Sequence, residues 1–139
     1  MPHPPSKKYE EIEHTADWAL KVRGADLPAL FVNAALGMMD LAGVRADEKA
    51  GRARSIELEA ADSESLLVDW LQELVVALEL EQIAFSNIQL TITNGNRLAG
   101  TVRAVPATTI EKPIKAVTYN ELVIAKSPQG LEVTIVFDV

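Results

Sequence analysis

The dipeptide Asn94-Gly95 stands between two runs that each read as extended chain, and no other feature limits the fold as strongly. Upstream, Phe85 to Thr93 alternates Ile88, Leu90 and Ile92 with Gln89, Thr91 and Thr93. Downstream, Arg97 to Val105 forms the returning run. Asn and Gly both accept the positive φ that a tight hairpin turn requires, so the pattern predicts an antiparallel β-hairpin. A further run alternates Leu131, Val133, Ile135 and Phe137 inward against Glu132, Thr134, Val136 and Asp138, after a turn at Ser127-Pro128-Gln129-Gly130.

Helical spacing appears twice. Leu67, Trp70, Leu71, Leu74, Val75 and Leu78 fall on one face behind a cap at Asp62 or Ser63. Leu27, Leu30, Phe31, Ala34, Met38 and Leu41 do the same between a cap at Asp26 and a stop at Gly43. Around them, Lys7–Glu13, Trp18–Val22, Ser55–Ala60 and a long Ile114–Ile124 read as strands. Arg45–Arg54 and Pro106–Pro113 read as loops. The expectation is an α+β fold, with two helices packed on mixed or antiparallel sheet. The further expectation is that residues 1–139 form one domain, with residues 1–6, rich in proline, as a flexible tail.

Composition narrows the chemistry. The chain has no cysteine, which removes disulfides, Cys-ligated zinc and thiol nucleophiles together. Its two histidines are His3 and His14, too few for a His-rich metal site. No glycine-rich phosphate loop and no Gly-x-Ser-x-Gly elbow is present. Leu74–Leu78 is the longest aliphatic stretch, far below the ~20 residues of a membrane span. No apolar leader follows Met1, so a cytoplasmic protein is expected. A net charge of −7 disfavours direct binding to nucleic acid. Eight acids and no Lys or Arg occupy residues 55–96, either as a solvated face or as a docking surface for a basic partner.

The remaining candidates are carboxylates and one amine. Asp17 follows His14-Thr15-Ala16 at a strand interruption, where it either serves a turn or points into a cleft. Asp138 and the α-carboxylate of Val139 crowd two negative charges, which a divalent cation would relieve; a frayed end is the competing account. Oxygen-only ligands suit calcium or magnesium rather than zinc. Lys115 is either a solvated edge residue or a binder of phosphate or of a partner's acid.

Four segments together resemble the archease family: Tyr9-Glu10-Glu11-Ile12-Glu13-His14-Thr15-Ala16-Asp17, Leu67-Val68-Asp69-Trp70-Leu71-Gln72-Glu73-Leu74, Ile114-Lys115-Ala116-Val117-Thr118-Tyr119 and Phe137-Asp138-Val139. They span nearly the whole chain in the family's order. The resemblance implies a protein cofactor of an RtcB-type RNA ligase rather than an enzyme. Such a cofactor serves tRNA splicing and RNA repair by promoting guanylylation of the ligase's histidine and multiple turnover. It implies calcium, with magnesium or manganese as alternatives, held by Asp17, Asp138 and a terminal oxygen of Val139, with His14 as a supporting residue. GTP belongs to the ligase. Asp17, Lys115 and Asp138 are the residues implied in ligase activation. Two departures stand out: Asn120 replaces a His common after the Tyr, and Val105-Pro106-Ala107-Thr108-Thr109 replaces an acidic, histidine-containing loop. The rival functions are a metal-dependent phosphohydrolase using the same carboxylates and an acidic, chaperone-like adaptor.

Overall fold

A computed structural model describes residues 8–12, 18–119 and 121–139. The elements in chain order are β1 (Tyr9–Ile12), β2 (Trp18–Gly24), α1 (Leu27–Leu41), β3 (Val44–Ala46), β4 (Arg52–Glu59) and α2 (Ser63–Val76). They continue with β5 (Ile83–Thr93), β6 (Arg97–Ile110), β7 (Ala116–Val117), β8 (Ala125–Ser127) and β9 (Gly130–Asp138).

The strands form two sheets whose described pairings are all antiparallel. The first runs β1-β2-β9-β7, with β8 on the same edge of β9 as β7 but further back along it. In the second, β6 is central, with β5 on one edge and β4 followed by β3 on the other. Both helices touch both sheets: α1 packs on β2 and β5, α2 on β7 and β4. This is the expected α+β domain, with antiparallel rather than mixed sheets.

The helices start where short polar side chains can satisfy their free amides. Asp26 accepts from the Ala29 amide at 2.9 Å, and Asp62 from the Ser65 amide at 2.7 Å. Because each helix lies between sheets, its apolar residues are buried over a wide arc. Trp70 ties the layers together: its indole donates to the Phe31 carbonyl at 2.9 Å, and its ring lies 5.8 Å from that of Phe85. Gly37 lets α1 press against β1 and β2, since a Cβ there would meet Tyr9 and Leu20 at 2.7 Å.

The sequence expectations need four corrections. Arg45–Arg54 is not a loop: it holds most of β3, a 3-10 turn at Glu48–Ala50 and the start of β4. Pro106–Pro113 is strand as far as Ile110. Pro106 fits because it falls between Ala104, the last β6 residue paired with β4, and Ala107, the first paired with β3; its missing amide breaks no ladder bond there. Ile114–Ile124 is not one long strand, since only Ala116 and Val117 pair with β9 before the chain turns, with Glu121 at φ 52°. Val136 is buried rather than outward, as is Ala19 opposite it, so both faces of the sheet are closed at this end.

Candidate functional site

One end of the first sheet gathers the candidates that the structure describes. β9 reaches this end at Asp138. β7 lies beside it with Ala116 opposite Asp138, and the Lys115 amide donates to the Asp138 carbonyl at 2.8 Å. On the other side of β9 the chain enters β2 at Trp18, opposite Phe137. Lys115 and Asp138 are therefore neighbours through the backbone, although 23 residues separate them in sequence. Both are exposed, and Val139 is 39% exposed. The Lys112 ammonium sits 5.2 Å from the centroid of the Trp18 ring, which puts a second cation at this end. Asp17, His14 and Asn120 lie outside the described residues.

The donors present can be tested against a bound cation. Among the described residues, no ion pair engages the Asp138 carboxylate, and no three His, Asp or Glu side chains group closely enough to hold a metal. Asp138 and Val139 offer oxygen only, which matches a hard cation. They fall short of the about six to eight ligands calcium takes, so a further protein oxygen and solvent would complete the shell.

Among the described residues, the fold clearly shifts the titration of Tyr9 and Asp62, neither at this end. Burial raises the Tyr9 phenol above its ordinary value, helped by the charge of Asp40 and a hydrogen bond to it. Hydrogen bonding from Ser65 lowers the Asp62 carboxyl. A groove of about 540 Å³ of mixed character, bounded by Val75, Leu78, Glu79, Gln82, Thr108 and Ile110 among others, contains none of the candidate residues.

Two side chains that sequence reasoning passed over also bear on this region. Gln72 Oε1 accepts from the Val117 amide at 3.3 Å, and Glu64 Oε2 accepts from the Ile124 amide at 3.1 Å. Both were hidden in a helix whose acids read as a solvated or docking face. Several of those acids have partners within the molecule: Asp62 caps α2, Glu81 pairs with Arg54 at 3.1 Å and Glu59 with Arg97 at 3.4 Å.

The Archease protein family model matches residues 9–139. The chain belongs to the archease family. A protein archease of Methanosarcina acetivorans is 35% identical, with 96% of this chain and 97% of the relative covered. One from Thermococcus gammatolerans is 33% identical over 89% and 92%. The solution structure of protein 1598 of Methanobacterium thermoautotrophicum superposes with a TM-score of 0.69 at 30% identity, covering 95% of this chain and 99% of that one. The crystal structure of a Thermotoga maritima archease, described as a possible chaperone, has a TM-score of 0.69 at 24% identity over the full length of both chains, and shares the fold. The resemblance seen in the four segments is thus family membership, and the two-helix antiparallel architecture is that of its solved relatives. Among the described residues, no helix is long and apolar enough to cross a membrane.

Proposed function

We propose that this archease family member activates an RtcB-type RNA ligase in tRNA splicing and RNA repair, acting as a protein cofactor and not as an enzyme. The observation that supports this is the Lys115–Asp138 backbone bond, which brings an exposed lysine and an exposed aspartate to the same end of one sheet. Asp17 immediately precedes Trp18, whose partner is Phe137, so Asp17 enters the proposal as the additional oxygen ligand beside Asp138 and Val139. A bound calcium supplies positive charge that neutralises phosphate oxygens. The residues of this chain do the rest: the carboxylates hold the cation at an open tip, and the exposed ammonium of Lys115 binds a phosphate or an acid of the ligase. His14 supports the carboxylates from the same segment as Asp17.

The test is ligation of a 3′-phosphate RNA in excess over the ligase, with GTP, in the presence and absence of this protein. The expected result is a change from single to multiple turnover. Asp138→Ala should remove that gain while leaving the melting temperature nearly unchanged, since an exposed substitution typically shifts stability by no more than about 0.5 kcal/mol. A parallel loss of folding would overturn the assignment of Asp138. No gain with a demonstrably active ligase would favour the adaptor, and cleavage of a phosphoester by the protein alone would favour the phosphohydrolase.

A further inference from the structure

The segment from Ile114 to Ile124 carries Lys115 yet has little backbone pairing of its own. β7 is the edge of its sheet, so the amides on its outer side have no strand to bond. Lys115 and Thr118 donate inward to β9, at Asp138 and Val136. The Val117 amide donates to Gln72, and seven residues later the Ile124 amide donates to Glu64. Gln72 and Glu64 lie eight residues apart on α2, about 12 Å of helix rise. Seven extended residues would span about 23 Å, so the chain between the two bonds must fold back to match the helix. It does so through a turn in which the Leu122 amide donates to the Tyr119 carbonyl at 3.1 Å. Ile114, Val117 and Leu122 of this strap are themselves buried.

We infer that Glu64 and Gln72 are positioning residues that clamp the strap 114–124 along α2, and that through it they fix Lys115 against the end of β9. The helix takes the place of a missing strand, with two side-chain oxygens spaced to catch two amides of an antiparallel segment. The consequence for ligase activation rests on the function proposed above, whereas the clamp itself can be tested without a ligase.

The experiment is amide hydrogen exchange on the full chain, read at Val117, Ile124 and Lys115. Gln72→Leu removes the acceptor and keeps most of the volume, whereas Gln72→Glu keeps an acceptor oxygen. Glu64→Leu and Glu64→Gln form the matching pair. The expected result for Gln72→Leu is about tenfold faster exchange at Val117 together with faster exchange at Lys115, both restored in Gln72→Glu. Glu64→Leu should do the same at Ile124, with rescue by Glu64→Gln. Unchanged exchange at Val117 and Ile124 would overturn the clamp. Faster exchange there with Lys115 still protected would overturn the positioning of Lys115. Ligation with the same variants is the second readout. Where the wild-type chain stimulates the ligase, Gln72→Leu should reduce the gain and Gln72→Glu should recover it. Where the wild-type chain gives no gain, the ligase reading fails, and the exchange data still decide the clamp.

Discussion

The β5–β6 hairpin and the strap 114–124 are both extended chain leaving a helix or strand, yet they are held in opposite ways. The hairpin strands run 11 and 14 residues, and β6 is paired on both edges over half of its length. The strap has two paired residues, and its outer amides go to side chains of α2. None of the candidate functional residues lies in the hairpin, whereas Lys115 lies in the strap. A backbone ladder, even with the bulge between Ser86 and Gln89, spreads its rigidity over many bonds rather than two. A clamp made by two side chains would let this segment open separately from the core, as the proposed contact with a ligase would require.

The substitution with the largest expected effect strikes the ladder. Gly100 lies between Ile56 on β4 and Leu90 on β5, and a Cβ there would run into the Gln89 carbonyl and Leu90. Gly100→Val should cost about 3 kcal/mol, the upper end for overpacking against backbone. Denaturant unfolding checks the magnitude. Because the hairpin supports the common core, protection should fall in both regions together. Loss confined to β5 and β6 would mean that the hairpin unfolds independently, and the contrast would need recasting.

The same contrast explains what the sequence made legible. The hairpin depends on local rules, alternation and a turn at Asn94 (φ 55°) and Gly95 (φ 74°), and both were readable. The buried faces of the two helices were readable for the same reason. The strap was misread as one long strand, because its aliphatic content resembles a strand while the absence of an outer neighbour is a tertiary fact. Proline misled in a similar way: Pro106 looks like a breaker until the gap between β4 and β3 is seen. Gln72 and Glu64 are indistinguishable in sequence from solvated helix residues, since nothing local says which amides they meet. Lys115 and Asp138 stand out as candidates from residue type and position, with their part in ligase activation implied by the family resemblance, while their adjacency comes only from the register of β7 on β9. Periodicity alone could place each on a strand and could not pair the strands.

A smaller effect should follow from weakening the strap. Leu122 is 8% exposed and anchors the turn that shortens the strap. Leu122→Ala should cost about 2 kcal/mol, the low end for a truncated leucine at a site that can relax. Exchange should quicken across 115–124 while β5 and β6 keep their protection. Equal loss in both regions would show that the strap shares the cooperativity of the ladder, and would remove the distinction drawn above.

The first turn of α2 is where the two regions meet, and it provides the mildest test. Ser63 Oγ donates to the Gly95 carbonyl in the hairpin turn, Glu64 accepts from Ile124 in the strap, and Asp62 caps the helix that carries both. The Ser65 backbone bond, and to a lesser degree its side chain, lowers the Asp62 carboxyl below its ordinary 3.8. Its contribution to stability is therefore fully present above that value and drains away as pH falls through the lower, folded-state value. Asp62→Asn keeps an oxygen for the Ser65 amide and cannot titrate. Melting curves for the two proteins should run closer together as pH is lowered from about 5 to about 2, because only the wild type loses this contribution. A constant difference across that range would show that the charge on Asp62 does not support the cap. Exchange at Gly95 and Ile124 along the same titration asks whether loosening one helix end releases the hairpin turn and the strap alike. The strap should respond first, since its Ile124 amide depends on a side chain of that turn, while the hairpin retains its ladder.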